Sequence, residues 1–542
     1  MTGRRQLAGP AAKRVQHLGD TAVRVAVPED SGAAGPGALA DEIRARAWVG
    51  VEDVVAGYES VTVICEPDVG DLDGLGAELA VIEARDPDAR EVATVEIPVV
   101  FDGPDLAEVA ALIAGTEHDV VELMTGSPLD VAMVGFVPGF GYLTGLPAPL
   151  SDVGRRATPR SRLPAGSVAI AGGYAGVYPV ASPGGWRLLG RTGLVLFDRE
   201  TPPFAVLRPG DRVRFRAVAE AAAIVELPRS LLRAGASSRA VMLDPGALAT
   251  IQDSGRVGVA ALGVPRAGVA DRHSAALANL AVGNEVAAAV LEITQPGVSL
   301  RVDASTCVAL AGDAPLLIDG SPVPSSAVHP VSPGQVVSIG PLVSGARAYL
   351  AMAGGLEVPA VFGSRSSDLL CGIGVGPLRP GDELGVGPAR GRARGRIEQP
   401  VHQTTLRVLP GPDGRDELVW RALLRASFDV STASDRTGVR LTPDRSVGAP
   451  PAVEGSKAMV TGAVQLPPDG CPIVLGVDHA TLGGYPVVAV VAECDHPRLG
   501  QLRPGDEVHF EQIDRAEASR LRARAKAELG RLVSGWYPVR AG

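Results

Sequence analysis

The spacing of apolar residues changes several times along the first 215 positions. TAVRVAV (21–27) reads as a strand, the stretch around Ala38–Ala47 as a helix, Ser60–Cys65 as a strand and Leu72–Arg85 as a second helix. This β-α-β-α order predicts a small α/β domain over 16–92, after a loose tail at 1–15. From ATVEIPVVF (93–101) the period falls to two. DLAEVAALIAG then inserts one helix, with Asp105 as its candidate cap. Short apolar runs between Gly-Pro turns continue to Phe215 and predict a closed or nearly closed β-barrel over 93–225.

The pattern restarts after a polar linker at 226–238. Residues 239–398 read as a second β-rich region with one clear helix, Arg272–Val282, and end in a Gly/Arg linker at 388–398. Residues 399–515 read as another barrel, and 516–542 as an exposed helix and tail. The word LRPGD occurs at 207–211, 378–382 and 502–506, each time before an alternating run. Pro fixes φ near −65° and Gly accepts positive φ, so the word predicts a type II turn into a closing strand rather than a binding motif. AGSVAIAGGYAGVYPV (165–180) also resembles EGSKAMVTGAVQLPPD (454–469), which predicts two related barrels, one in each half. The fold class expected is mainly β with α+β parts.

Composition narrows the function. The net charge is −10 and the one Arg-rich run, Arg390–Arg396, is broken by Gly, so a nucleic-acid partner is not expected. No apolar run reaches the ~18 residues of a membrane span, and the basic N-terminus lacks an apolar core, so neither a span nor a signal peptide is expected. Five scattered cysteines without a CxxC fit a reducing, cytoplasmic setting. No P-loop, HExxH or paired CxxC is present, and no metal site is expected.

Candidate chemistry lies in the Gly-aromatic words. GFVPGFGYLTGLP (135–147) crowds Phe136, Phe140 and Tyr142 among Pro138 and Gly139. It reads either as a loop that cradles a ligand or as a barrel-closing turn with core aromatics. Trp186 in SPGGWRLLGRT suits a pocket lip or a hairpin. Arg160 and Arg162 suit phosphate or carboxylate contacts or a solvated face. Asp271 is an ordinary N-cap candidate as well as a catalytic one. SDRTG (434–438) and DHATLGGYP (478–486) add Asp435, Arg436, Asp478, Thr481 and Tyr485 in short polar words between apolar strands.

Taken together these words resemble a known pair of families. GFVPGFGYLTGLP, PRSRLPAGSVAIAGGYAGVYPVASPGGWRLLGRT and LRPGDRVRF resemble the B-type component of 5-oxoprolinase, a family that includes Kip-type kinase inhibitors. DPGALATIQDSGRVG, GVPRAGVADRHSAALANLAVGN, GSRSS, SDRTGVRL and DHATLGGYP resemble the C-type component. The pair is similar to the carboxyltransferase region of urea carboxylase, and the chain reads as a B–C fusion. The resemblance implies cyclophilin-like barrels in both halves and ATP-dependent (Mg2+-ATP) opening of the 5-oxoproline lactam with a separate A-type subunit, in an oligomer. Its alternatives are a biotin-dependent carboxyltransferase acting on an amide and a non-catalytic kinase-binding regulator. On the lactam reading Asp271 and Asp435 are the candidate catalytic residues, for polar or proton-handling roles. The implied substrate or ATP contacts are the loop aromatics above with Gly172, Gly173, Tyr178, Arg191, Arg436, Gln465, Asp478, Thr481 and Tyr485. Two departures stand out: Met124 occupies the place of a family His, and GGYAG replaces GGQTG, putting Tyr174 where an amide is usual.

Overall fold

The computed structural model describes residues 14–27, 35–69, 71–82, 92–126, 128–222, 224, 238–295, 297–389, 391, 396–399, 401–414, 416–450, 453 and 455–534, with side chains to 529. The two tails, nearly all of the 226–238 linker and most of the Arg390–Arg396 run lie outside the described residues.

Four units follow one another. The first is an antiparallel sheet of Val15–Leu18, Ala22–Ala26, Ser60–Cys65 and Val51–Ala56, in that spatial order, covered by helices Pro36–Ala45 and Leu72–Val81. Its strands therefore come as two hairpins, not as single strands alternating with helices. Val51–Ala56 escapes the periodicity argument because Glu52 and Asp53 break its apolar pattern. They do so because they reach the other half: Glu52 pairs with Arg266, and Asp53 accepts the Gly258 and Ala260 amides at 3.0 and 2.9 Å.

The second unit is a seven-stranded barrel whose ring is closed by a bridge between Val100 and Arg191. The third stacks a seven-stranded and a five-stranded sheet over one apolar core, with helix Arg272–Ala281 packed on the second sheet. The fourth is a closed seven-stranded barrel. If the strands of each barrel are numbered in chain order, neighbours run 1-6-4-5-3-2-7 and back to 1 in both. The first and last strands are parallel in each.

The barrels match, but not in the register that the sequence words suggest. Gly166 and Gly462 both have φ +83 and both precede the fourth strand, Ser167–Ala171 in one barrel and Ala463–Gln465 in the other. The word EGSK, which looks like AGSV, instead begins the short ladder of Lys457–Ala458 with Leu482–Gly483. Small residues recur too often in this chain for a Gly-Ser step to fix alignment.

The three LRPGD turns share one geometry. Gly210, Gly381 and Gly505 have φ of +88, +86 and +90. Each Asp amide donates to the Arg carbonyl three residues back, at 3.0, 3.1 and 3.0 Å. Each Asp carboxylate in turn accepts that Arg's amide, at 2.9, 2.7 and 2.9 Å. The turn closes on itself before the next strand starts, as Pro-Gly chemistry requires.

The C-terminal helix, Arg515–Ser534, is not simply exposed. Arg515, Arg522 and Lys526 pair with Asp73, Asp20 and Asp68 of the first unit, and Ala518 is fully buried.

Candidate functional site

The halves meet along a buried seam. Loop 135–140 of the first barrel rises to it with Phe136 and Gly139 in the left-handed region, at φ 72 and +73. A Cβ on Gly135 would strike the Leu482 side chain, and one on Gly263 would strike the Val137 carbonyl, so the two chain segments touch through bare backbone. The Gly139 amide donates across the seam to the Leu262 carbonyl at 2.8 Å.

Phe140 sits at the centre of the loop, 1% exposed. Tyr142, Tyr178 and Trp186 surround it edge-on at 5.0, 5.1 and 5.3 Å, and Phe136 does so at 5.8 Å. Tyr174 stacks on Trp186 at 6.5 Å, and Tyr58 of the first unit leans on Tyr174. Edge-to-face pairs add about 0.5–1.5 kcal/mol each beyond area burial. Burial pushes the Tyr142 phenol up to about 12 and raises Tyr174 and Tyr178 further, so these rings present neutral hydroxyls at pH 7. The loop closes the barrel with core aromatics, and its rim rings, Phe136, Tyr58 and Tyr174, are only partly buried.

The other half brings charge. Arg436, 3% exposed, donates through Nε and Nη2 to the Asp478 carboxylate at 2.9 and 2.8 Å, through Nη1 to Glu292, and through Nη2 to the Gly268 carbonyl at 2.7 Å. Glu292 also faces Arg347, accepts the Ala270 amide and accepts the Tyr349 hydroxyl at 3.0 Å. Desolvation alone would raise Glu292, but Arg436 and Arg347 hold its carboxyl below the ordinary range. Beside this set, Asp253 gathers the hydroxyls of Ser364 and Ser366 and the amides of Gly255 and Arg365. Arg256 lies 1% exposed against Ser366 and Val361. Burial, and next the Asp478 charge, push Asp368 up to about 7.

A cavity of about 410 Å³ opens between the stacked sheets and the second barrel. Arg347 and Arg436 line its buried side. Asp435 and Arg503 lie toward solvent, with Leu248, Leu342, Val439 and Leu499 as apolar wall. His496 also lines it. Burial, then Arg272, push its imidazole down to about 4, so it is neutral at pH 7.

The sequence candidates divide between these places. Phe136, Pro138, Gly139, Phe140, Tyr142, Tyr178 and Trp186 gather at the seam, where Thr481 also lies, its hydroxyl lacking a hydrogen-bond partner. Gly172 and Gly173 form the open turn of a hairpin, where a Cβ on either would meet nothing within 4 Å. Arg160 grips Asp105 with two prongs, at 2.9 and 2.8 Å. Asp105 also takes Arg156 and the Leu188 amide, so it clamps the barrel and does not cap its helix through the side chain. Arg191 pairs with Asp102 at the surface, and Arg162 is exposed on strand Arg160–Leu163. Gln465 donates to the Met459 sulfur, and Tyr485 is 42% exposed. Asp271 caps helix Arg272–Ala281 through Ser274 and accepts Gln501 Nε2 at 2.8 Å. Asp435 accepts the Thr437 and Gly438 amides.

Met124 lies 1% exposed in the apolar core of the first barrel, in a different cluster from the seam aromatics. Met124, expected from the resemblance to stand in the place of a His, acts there through packing. Glu292, Arg347, Asp253, Arg256 and Asp368 were not singled out from the sequence. The available signal was a lone charge within a fully apolar strand, as in VLEIT and RAYLAM, since such a charge has to find a partner.

Two like barrels, each with an accessory unit and joined by a shared loop seam, define a carboxyltransferase-type fold. Residues 13–207 match the family model for carboxyltransferase domain, subdomain C and D, and residues 262–512 match the model for subdomain A and B. The chain belongs to the carboxyltransferase-domain family. It is similar to the C-type component of 5-oxoprolinase from Escherichia coli K12, with 34% identity over 293 residues, 51% of this chain and 92% of the relative. It is similar to the B-type component of 5-oxoprolinase from Escherichia coli O157:H7, with 51% identity over 136 residues, 24% of this chain and 61% of the relative. Urea amidolyase of Lachancea kluyveri is 30% identical over 54% of this chain, which spans 18% of that larger protein. The crystal structure of TTHA0988 superposes with TM-score 0.80 at 35% identity, over 90% of this chain and 99% of its own.

Proposed function

We propose that this chain is the B and C component, in one polypeptide, of an ATP-dependent 5-oxoprolinase that opens the 5-oxoproline lactam to glutamate with a separate A-type subunit. The observation that carries the reading is the seam: the B-like half and the C-like half interlock through Gly135, Gly139 and Gly263, as two parts of one machine would. In the reaction the lactam C–N bond breaks with one water added across it, and a second water takes up the phosphoryl group as ATP goes to ADP and phosphate. ATP activates the carbonyl, and the protein positions it and stabilises the developing charge.

The residues of this chain fit a share in that work that leaves the nucleotide elsewhere. Arg160 and Arg191, the candidate phosphate contacts, are engaged by Asp105 and Asp102. We therefore assign Mg2+-ATP chiefly to the A-type partner and the lactam to this chain. No helix among the described residues is long and apolar enough to cross a membrane. All five cysteines are unpaired, which fits the reducing setting expected from their spacing. The test mixes the purified chain with its A-type partner, ATP and 5-oxoproline. Glutamate release with matching ADP formation is expected, and none at saturating substrate rejects the reading.

The likeness to urea amidolyase favours a second reading, carboxyl transfer to an amide such as urea. It requires a separate biotin carrier: Lys457, in the short ladder beside the second barrel, is engaged by Asp413 at 3.4 Å. Carboxylation of urea by the chain with a biotinylated carrier, and no lactam opening, would select it.

A further inference from the structure

The seam explains how the halves join, but the 410 Å³ cavity lies wholly within the C-like half and has no structural task. Its size suits a small organic ligand. Its polar groups show what kind.

Arg436 is fully engaged by Asp478, Glu292 and Gly268. Arg347, 7% exposed, is not. Its Nη1 donates to the Gly500 carbonyl and its buried Nε faces Glu292 at 3.4 Å, while its Nη2 has no bond among the described residues. Glu292 and Asp478 balance the two guanidiniums, so the buried side carries no surplus charge for a polyphosphate. Farther out, Arg503 and Asp435 place one cation and one anion on the same cavity. The Arg347 Nη2, the half-exposed Arg503 guanidinium, which Asp506 holds only at 3.8 Å and whose Nη1 donates to the Val343 carbonyl, and the facing Asp435 carboxylate complement a ligand of low net charge with one carboxylate and one N–H.

The surroundings hold Arg347 in place. Gln501 Oε1 accepts the Ala346 and Arg347 amides at 3.2 and 3.0 Å, while its Nε2 donates to Asp271. The Asp271 amide donates to the Tyr349 hydroxyl, which donates to Glu292. A Cβ on Gly345, at φ +70, would run into Gln501. Asp271 is thus a positioning residue for Arg347.

We propose that this cavity is the carboxylate-recognition site for a small carboxylated amide, with Arg347 and Arg503 toward the carboxylate and Asp435 toward the amide N–H. This rests on the lactam reading for the choice of ligand and on the cavity alone for its place.

The test titrates the full chain calorimetrically with 5-oxoproline, L-glutamate and 2-pyrrolidinone, which lacks the carboxylate. 5-Oxoproline should bind saturably, and 2-pyrrolidinone at least about tenfold more weakly, as expected for loss of a charge-assisted contact. Leu342→Trp fills the cavity from a half-buried loop and should weaken 5-oxoproline binding at least about tenfold with an unchanged melting temperature; Arg503→Ala should weaken it in the same direction. Equal binding of 5-oxoproline and 2-pyrrolidinone, no binding of either carboxylate, or native affinity in a folded Leu342→Trp overturns the proposal. Glutamate release with the A-type partner is read separately. Binding without release rejects the functional reading and leaves the site standing, whereas native release by Leu342→Trp rejects the site and leaves the function standing.

Discussion

The two barrels wind seven strands in the same cyclic order, end on the same LRPGD turn and place a glycine at φ +83 before the same strand, yet they meet their neighbours with opposite chemistry. The first presents Phe140, Tyr142, Tyr178 and Trp186, packed edge to face. The second presents Arg436 and Asp478, tied to Glu292 of the stacked sheets. An aromatic surface is filled by shape and tolerates near substitutes. A buried ion set is held by mutual neutralisation, and loss of one member strands the rest. A shared scaffold thus carries a packed face in one half and a polar, cavity-bearing face in the other.

The sharpest way to break this contrast is Arg436→Ala. It leaves Glu292 and Asp478 buried without their main partner, and the expected cost is about 3–5 kcal/mol in denaturant unfolding. The first-barrel counterpart, Phe140→Leu, keeps most of the volume and should cost no more than about 2 kcal/mol. A smaller loss in Arg436→Ala than in Phe140→Leu would show that the ion set does not hold the second barrel to its neighbour.

Charge also crosses the seam from the other side. Burial pushes Asp53 up to about 6, although it accepts two amides of the C-like half. A raised carboxyl favours the protonated form in the folded state. Its contribution is therefore full below the unfolded value near 4 and is lost as pH rises through about 6. A shift of this size corresponds to about 3 kcal/mol. Asn does not titrate, so the stability of Asp53→Asn relative to the native chain should rise between pH 4 and 6 and level off above. A constant difference across that range would place Asp53 in water rather than under the 256–266 loop.

Much of the scaffold was legible because it is set by local chemistry. LRPGD announced its turn, helix Arg272–Ala281 followed its apolar spacing from the Asp271 cap, and the runs between Thr94 and Ala217 alternated as a barrel's strands must. What stayed hidden depends on partners far along the chain. Val51–Ala56 breaks its pattern to reach residues some 200 positions away, and Glu292 acquires meaning only beside Arg436. The seam aromatics could be named from their Gly-rich word. The cavity could not, since Arg347, Asp435 and Arg503 lie on different units and loops. The repeat was visible, but its register was set by backbone conformation, which Gly-Ser spelling does not encode.

That register yields a paired prediction. If Gly166 and Gly462 are equivalent, alanine at either should cost about 1–3 kcal/mol, because both hold positive φ. Gly166 should be the costlier, since its Cβ would meet the Thr192 carbonyl, whereas at Gly462 it would first meet the tip of the His496 ring. Gly455→Ala, the pairing suggested by spelling, meets the Tyr58 ring instead and should disturb the contact between the first unit and the short ladder rather than the second barrel. Thermal unfolding followed through the fluorescence of Trp420, which lies in the second barrel's core, separates these cases.

The smallest effect tests what the barrels share. In each LRPGD turn the Asp carboxylate returns to the Arg amide, a local bond worth about 1 kcal/mol net. Asp211→Ala and Asp382→Ala should each cost at least about that much and leave ligand binding intact. Asp506→Ala should lose its bond to His402 at 2.9 Å as well, and it should also weaken binding, because its turn lends Arg503 to the cavity wall. Unchanged 5-oxoproline affinity in Asp506→Ala would mean that the third turn is punctuation like the others. A selective loss of affinity there would mean that one copy of a structural word has been drawn into recognition by what lies beside it.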